Sequence, residues 1–205
     1  MFDAFLRSAA SRHEYWRQKS QAHTDFATAT PNAGHQVLAR WEAAGRLDGI
    51  ITQNIDGLHQ DAGNRNVLEL HGTARWIACL DCHARFDPQP LIDEFLATDR
   101  VPPCPQCAGM LKHATVSFGQ SLPEDVLTTA MEWSRHSDLF LAMGSSLVVE
   151  PAAGLPRLAV GSGAQLAIIN RDATDQDHSA RWVFHASIGE TLQTVDRMIK
   201  RESAT

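Results

Sequence analysis

The sequence predicts an α/β fold in which helices cover both faces of a parallel sheet and a small metal-binding lobe interrupts it. Three observations predict it. Short apolar runs end in polar or glycine-bearing turns, as strands buried on both faces do. Helical stripes alternate with these runs, which is the rhythm of a parallel sheet. Residues 76–111 break that rhythm with all four cysteines and five prolines, and read as an insert.

Along residues 2–19, Phe2, Phe5, Leu6, Ala9, Tyr15 and Trp16 recur at helical spacing. Residues 20–29 are small and polar and read as a loop. Thr30 is placed to cap a helix opening at Pro31, since proline suits the first helical position. Val37, Leu38 and Trp41 form its apolar stripe, and Gly45 ends it. Ile50–Ile51 and Val67–Leu70 read as short strands, closing in Thr52–Asp56 and His71–Gly72. Beyond the insert, Thr115–Phe118 reads as a strand, and Pro123 opens a helix faced by Val126, Leu127, Ala130 and Met131. Asp138–Met143 is a compact apolar run with Gly144–Ser146 behind it. Residues 151–160 read as a short helix, Gln165–Ile169 as a strand closing in Asn170–Arg171, and Trp182–His185 as a last strand. Ile188, Leu192, Val195 and Ile199 mark a C-terminal helix. The sheet-forming domain is therefore expected over 1–75 and 112–205, with the metal-binding module at 76–111.

Composition narrows the function classes. In 205 residues, 43% are apolar and 20% charged, which suits a packed core rather than disorder. Lys and Arg total 18 against 24 Asp and Glu, a net charge of -6, so a nucleic-acid backbone or an anionic membrane is not an expected partner. No apolar run approaches the roughly 20 residues that span a bilayer. The first twenty residues contain no apolar h-region of a secretory signal, so the cytosol is the expected compartment.

The cysteines carry the strongest local signal. Cys79 and Cys82 form one C-x-x-C pair, Cys104 and Cys107 another. Each pair places two sulfurs on one tight turn, and four thiolates close a tetrahedron around Zn(II) with no position left for chemistry. His83 and His113 are read as bystanders. Asp81, Asp87, Asp93, Glu94 and Asp99 outnumber Arg85 and Arg100 here, which favours a structural clip over a nucleic-acid-binding ribbon.

Three further clusters lie at strand ends, where open α/β sheets bind ligands. Gln53, Asn54 and Asp56 can hydrogen-bond a carboxamide or ribose hydroxyls, although Asn and Asp are also ordinary turn formers. His71 ends the next strand, with Gly72 behind it, and is a candidate general base. Gly144, Ser145 and Ser146 suit a phosphate or ribose, and Asn170–Arg171 repeats the idea one strand later. Gly161–Ser162–Gly163 lacks the third glycine of a dinucleotide fingerprint and precedes a strand, so it reads as a helix-end loop.

Taken in order, PNAGH at 31–35, TQNIDGLHQDAG at 52–63, LELHGT at 68–73, the paired C-x-x-C knuckles, VSFGQ at 116–120, GSSLVVEPAAGLP at 144–156 and IINRDAT at 168–174 resemble the sirtuin (Sir2) family of NAD-dependent protein-lysine deacylases. The resemblance covers the chain from about residue 12 onward. It implies a Rossmann-like domain and a zinc-bearing lobe, with NAD as co-substrate and acyl-lysine proteins or peptides as partners. It makes His71 the base that activates a ribose hydroxyl. Gln53 and Asn54 would contact the nicotinamide ribose and a water, and Asp56 with Ile55 would hold the nicotinamide carboxamide. Gly144, Ser145, Ser146, Asn170, Arg171 and Ile188 would line ADP-ribose. Val116, Phe118 and Gly119 would border the acyl-lysine, with the backbone around Val148 on the peptide's other side. In that chemistry the acyl oxygen attacks the ribose carbon as nicotinamide leaves, and the acyl group departs on ADP-ribose.

The sequence also departs from the family pattern. Sirtuins open with a strand and a GAGxS turn, followed by a loop with an SGIPDFR-like stretch, and Met1 is expected to fall inside that loop, as in a fragment or mis-started gene, with a degenerate family member as the remaining explanation. The strand so removed would be central in the sheet and would leave an unpaired edge. FGQ stands where FGE is common, and His113–Ala114 where a Lys/Arg-Pro pair is frequent. The alternative expectation is therefore a catalytically impaired sirtuin-like binding module. A zinc module for nucleic acid is a third, disfavoured by charge.

Overall fold

The computed structural model describes residues 2–202, apart from the side chains of 24–27. In chain order the elements are α1 (Phe2–Arg7), α2 (Ala9–Ala27), α3 (Ala33–Ala43), β1 (Ile50–Thr52), α4 (Leu58–Asp61), β2 (Val67–Glu69), β3 (Gly72–Cys79), β4 (Arg85–Phe86), α5 (Pro88–Thr98), β5 (Leu111–Thr115), α6 (Glu124–His136), β6 (Leu139–Met143), α7 (Gly154–Gly161), β7 (Gln165–Ile169), β8 (Trp182–Phe184) and α8 (Ile188–Glu202). They form two compact units. The first takes the chain up to Thr30, Thr52–Leu58 and Glu69–Pro123; the second takes Pro31–Ile51, His59–Leu68 and the chain from Glu124. The residues 76–111 lie wholly within the first unit.

In the first unit, β3 is the middle strand of an antiparallel sheet ordered β4–β3–β5. Its core gathers Trp16 from α2, Ile77 and Cys79 from β3, Leu91, Ile92 and Phe95 from α5, and Leu111 from β5. Trp16 is fully buried, and its indole N–H donates to the Leu111 carbonyl at 3.1 Å, so α2 is pinned to the sheet by apolar contact and one directed bond. That packing extends α2 to Ala27 through a stretch whose polar composition reads as loop; Ser20 on its inner face is 1% exposed. Asp87 caps α5 by accepting from the Gln89 N–H at 2.8 Å, with Pro88 in the first turn.

In the second unit, β6, β7 and β8 form a parallel sheet in that order, with Met143 opposite Ile169. Leu166 and Ile168 of β7 are 1% exposed, as a strand flanked on both sides should be. Val37, Leu38 and Trp41 of α3 pack with Ile169 and with Leu192 of α8. The cap of α3 is Asn32, not Thr30: its Oδ1 accepts from the N–H groups of Gly34 and His35, while His35 Nδ1 accepts from the Asn32 N–H. Asp196 on α8 is 5% exposed and accepts from Trp41 Nε1, Arg40 and Lys200, which holds its carboxyl far below the usual range.

β1 and β2 pair with each other, and each runs from the second unit into the first. Ile50 N–H donates to Asn66 O and Leu70 N–H to Thr52 O, a parallel pattern. The α/β architecture with parallel strands is the expected one, but the parallel ladder stands in two pieces among the described residues. The expected strand over Thr115–Phe118 is corrected to Leu111–Thr115. Gly119 at φ +88° and the Gln120 N–H to Ser117 O bond turn the chain just beyond it.

Candidate functional site

The first unit brings His71 and the Gln53–Asp56 turn together. His71 Nδ1 lies 3.0 Å from the Gln53 carbonyl oxygen. A carbonyl only accepts, so Nδ1 carries the hydrogen and Nε2 of the neutral ring keeps its lone pair. The turn itself is held by three bonds from backbone N–H groups, two of them to side chains: Asn54 N–H donates to Thr52 Oγ1 at 3.0 Å, Leu58 N–H to Asp56 Oδ1 at 3.0 Å, and Ala74 N–H to Ile55 O at 2.8 Å. Gln53, Ile55 and Asp56 are half-buried and Asn54 is exposed. Arg75, which no sequence pattern singles out, donates from Nε to the Asp56 carbonyl at 2.8 Å, and Gly57 at φ +71° leaves room for it.

The same unit places Val116 beside His71, with the Val116 N–H donating to the His71 carbonyl at 2.8 Å. Phe118 is 88% exposed, and its carbonyl accepts from the Phe2 N–H. Gly72 has φ +67°, and a Cβ there would meet the Ala114 carbonyl oxygen at 2.1 Å, so only glycine lets β3 and β5 close behind the histidine.

The four cysteine sulfurs lie within 4.8 Å of one another. Cys79 and Cys107 Sγ are 3.5 Å apart, Cys82 and Cys104 Sγ 3.7 Å. Four thiolates at Zn–S distances of about 2.3 Å form a tetrahedron with edges of about 3.8 Å, so the donor set fits Zn(II). The knuckles are built alike. Cys79 and Cys104 each accept at their carbonyl from the residue four positions on, His83 or Ala108, and each donates to the carbonyl five positions on, Ala84 or Gly109. His83 and Ala108 are both left-handed, at φ +61° and +59°. The backbone N–H groups of Cys82 and Asp81 point at Cys79 Sγ, at 3.5 and 3.4 Å, and hold its thiol down to about 7, toward the thiolate a metal needs.

The second unit assembles its own cluster at the carboxyl ends of adjacent parallel strands. Gly144 follows β6 at φ +62° and donates to the Ile169 carbonyl at 3.0 Å. Ser145 Oγ accepts from the Leu147 N–H at 3.2 Å. Asn170 follows β7, donates through Nδ2 to the Asp172 carbonyl, and precedes an exposed Arg171. Ile188 opens α8, and its Cδ1 would lie 2.9 Å from a Cβ on Gly144. Ser146 and Val148 are exposed.

The Sir2 family model matches residues 2–151. An NAD-dependent protein deacetylase of Rhodopseudomonas palustris is 46% identical over 193 residues, covering 93% of this chain and 76% of that protein. One from Thermodesulfovibrio yellowstonii is 37% identical over 201 residues, covering 98% and 78%. A solved Sir2 structure with a p53 peptide and NAD+ superposes with a TM-score of 0.89 at 33% identity, covering 100% of this chain and 82% of that one. A Sir2 protein bound to a propionylated peptide matches as well, with a TM-score of 0.89. The fold and these matches define an NAD-linked α/β protein with a four-cysteine cluster. The chain belongs to the Sir2 family.

Proposed function

We propose that this chain is an NAD-dependent protein-lysine deacylase, which transfers the acyl group to ADP-ribose with release of nicotinamide. The observation that carries the reading is the bond from His71 Nδ1 to the Gln53 carbonyl, which leaves Nε2 as a proton acceptor. Bound NAD supplies the electrophilic ribose carbon and the nicotinamide leaving group. Gln53 and Asn54 bind its ribose and a water, while Ile55 and Asp56 hold the carboxamide. Gly144, Ser145, Ser146, Asn170, Arg171 and Ile188 hold the ADP-ribose part. The carboxylate of Asp56 and the fixed amide dipoles of the turn favour the positive charge that builds as nicotinamide leaves.

The acyl oxygen would displace nicotinamide at the ribose carbon. His71 Nε2 takes the proton of a ribose hydroxyl, freeing that oxygen to attack the acyl carbon, and with addition of one water the acyl C–N bond breaks and the lysine amine departs. Val116, Phe118, Gly119 and Val148 border the acylated lysine. Cys79, Cys82, Cys104 and Cys107 hold a structural zinc, which ties the end of β3 to the loop before β5 and takes no part in acyl transfer. In this reading 1–75 with 112–205 form the NAD-binding domain and 76–111 the zinc module. Four free cysteines in a metal-ready cluster fit the reducing cytosol. Among the described residues no helix is long and apolar enough to cross a membrane.

The test is nicotinamide and acyl-ADP-ribose production from NAD and an acetylated peptide. His71→Ala should lower acyl transfer by about 10²–10⁴-fold while the variant stays folded. Unchanged transfer in that variant removes the role given to His71.

A further inference from the structure

Lys112 stands in β5 with 2% of its surface exposed. Among the described residues its ammonium pairs with no carboxylate. It donates to the carbonyls of His113 and Thr115 and lies 5.8 Å from the centre of the Tyr15 ring. Burial pushes the amine down to about 8, and Lys19 adds to the effect. A methionine would fill much of the same volume without that penalty, so the hydrogen-bond donors are what distinguishes lysine here.

Thr115 is the last residue of β5, opposite Gly72. Directly beyond it, Val116 bonds to the His71 carbonyl, and His71 bonds in turn to Gln53. Past Val116 the chain leaves the ladder for the turn at Ser117–Gln120 and the exposed Phe118.

We infer that Lys112 is a positioning residue: its buried ammonium ties down the end of β5, so that Val116 stays bonded to His71 and the segment Val116–Gly119 is presented in one conformation to an acyl-lysine. The inference rests on the deacylase reading for its functional part and on the first unit's geometry for the rest.

The experiment compares the wild-type chain with Lys112→Met and Lys112→Arg. Amide hydrogen exchange reads the clamp, and steady-state nicotinamide release with an acetylated peptide reads its use. In Lys112→Met, Val116 should exchange at least about tenfold faster while the core of β3 keeps its protection. The peptide KM should rise about tenfold, with the NAD KM within about twofold. Lys112→Arg, which keeps charge and donors, should restore both. If Lys112→Met does not fold, Lys112→Gln, which lacks the charge and the reach, takes its place. Val116 exchange and peptide KM both within about twofold of wild type in a folded variant overturn the inference. If the wild-type chain itself releases no nicotinamide, the deacylase reading fails, and the exchange measurement alone decides the clamp.

Discussion

Replacing Gly72 with alanine perturbs the backbone behind His71 without touching a polar side chain. At φ +67° an L-residue is disfavoured by about 1–2 kcal/mol. The new Cβ also lies 2.1 Å from the Ala114 carbonyl oxygen, where ordinary contact begins at 3.4 Å. The obstacle is backbone, so β3 and β5 must part by more than an ångström at that point. An opening of that size carries the Val116 N–H, now 2.8 Å from the His71 carbonyl, out of hydrogen-bond range, a loss of about 1 kcal/mol. Together these give about 3 kcal/mol, or a fall of about 6–12 °C in Tm for a chain of this size. Gly45→Ala is the matched control: its φ is also +67°, and nothing lies within 4 Å of its Cβ. It should show the conformational part alone, about 1–2 kcal/mol. The assay is thermal melting followed by circular dichroism, with acyl transfer measured alongside. Equal losses in the two variants would falsify the crowding argument, and so would full acyl transfer in Gly72→Ala.

Two other expectations concern stability. Stripping zinc with a strong chelator should lower melting on the order of 10 °C, reversibly on adding Zn(II), because the free energy of metal binding by the folded site is lost; unchanged melting after verified removal contradicts the zinc assignment. His113 is 4% exposed, and burial pushes its imidazole down to about 4, well below the 6.5 of a free histidine. Below pH 6.5 the unfolded chain therefore binds a proton that the folded chain refuses. Stability is full above pH 6.5 and declines by about 3 kcal/mol as the pH falls to 4. Urea midpoints across that range should flatten in His113→Leu, and an equally steep profile in that variant would count against the assignment.

What could be read from the sequence were residues whose chemistry is local. The C-x-x-C pairs dictate their own turns, and the polar endings after Met143 and Ile169 marked where β6 and β7 stop. Less legible was anything decided by distant packing. The helix α2 runs through a polar stretch because Trp16 and Ser20 face the core of the first unit, a fact invisible in QAHTDFATAT. The helix α5 was concealed within the cysteine-bearing segment, although Asp87–Pro88 was a usable start signal. At the start of α3 the sequence pointed to Thr30 as cap, whereas Asn32 takes that place with a reciprocal bond to His35. The clamp by Lys112 had no sequence signal, since alternation on a strand says nothing about a lysine that curls back along its own backbone. Nor does the motif around His71 reveal that Arg75 braces the neighbouring turn.

The proton inventory of His71 is settled by a peptide carbonyl, and no side chain encodes that instruction. Under the proposed roles, substitution at position 53 can therefore change what the turn offers a ligand while the imidazole keeps its tautomer. Side-chain contact and tautomer are inherited separately at this spot: the first drifts with single codons at position 53, and the second, as long as His71 is present, is lost only by a change that bends the main chain.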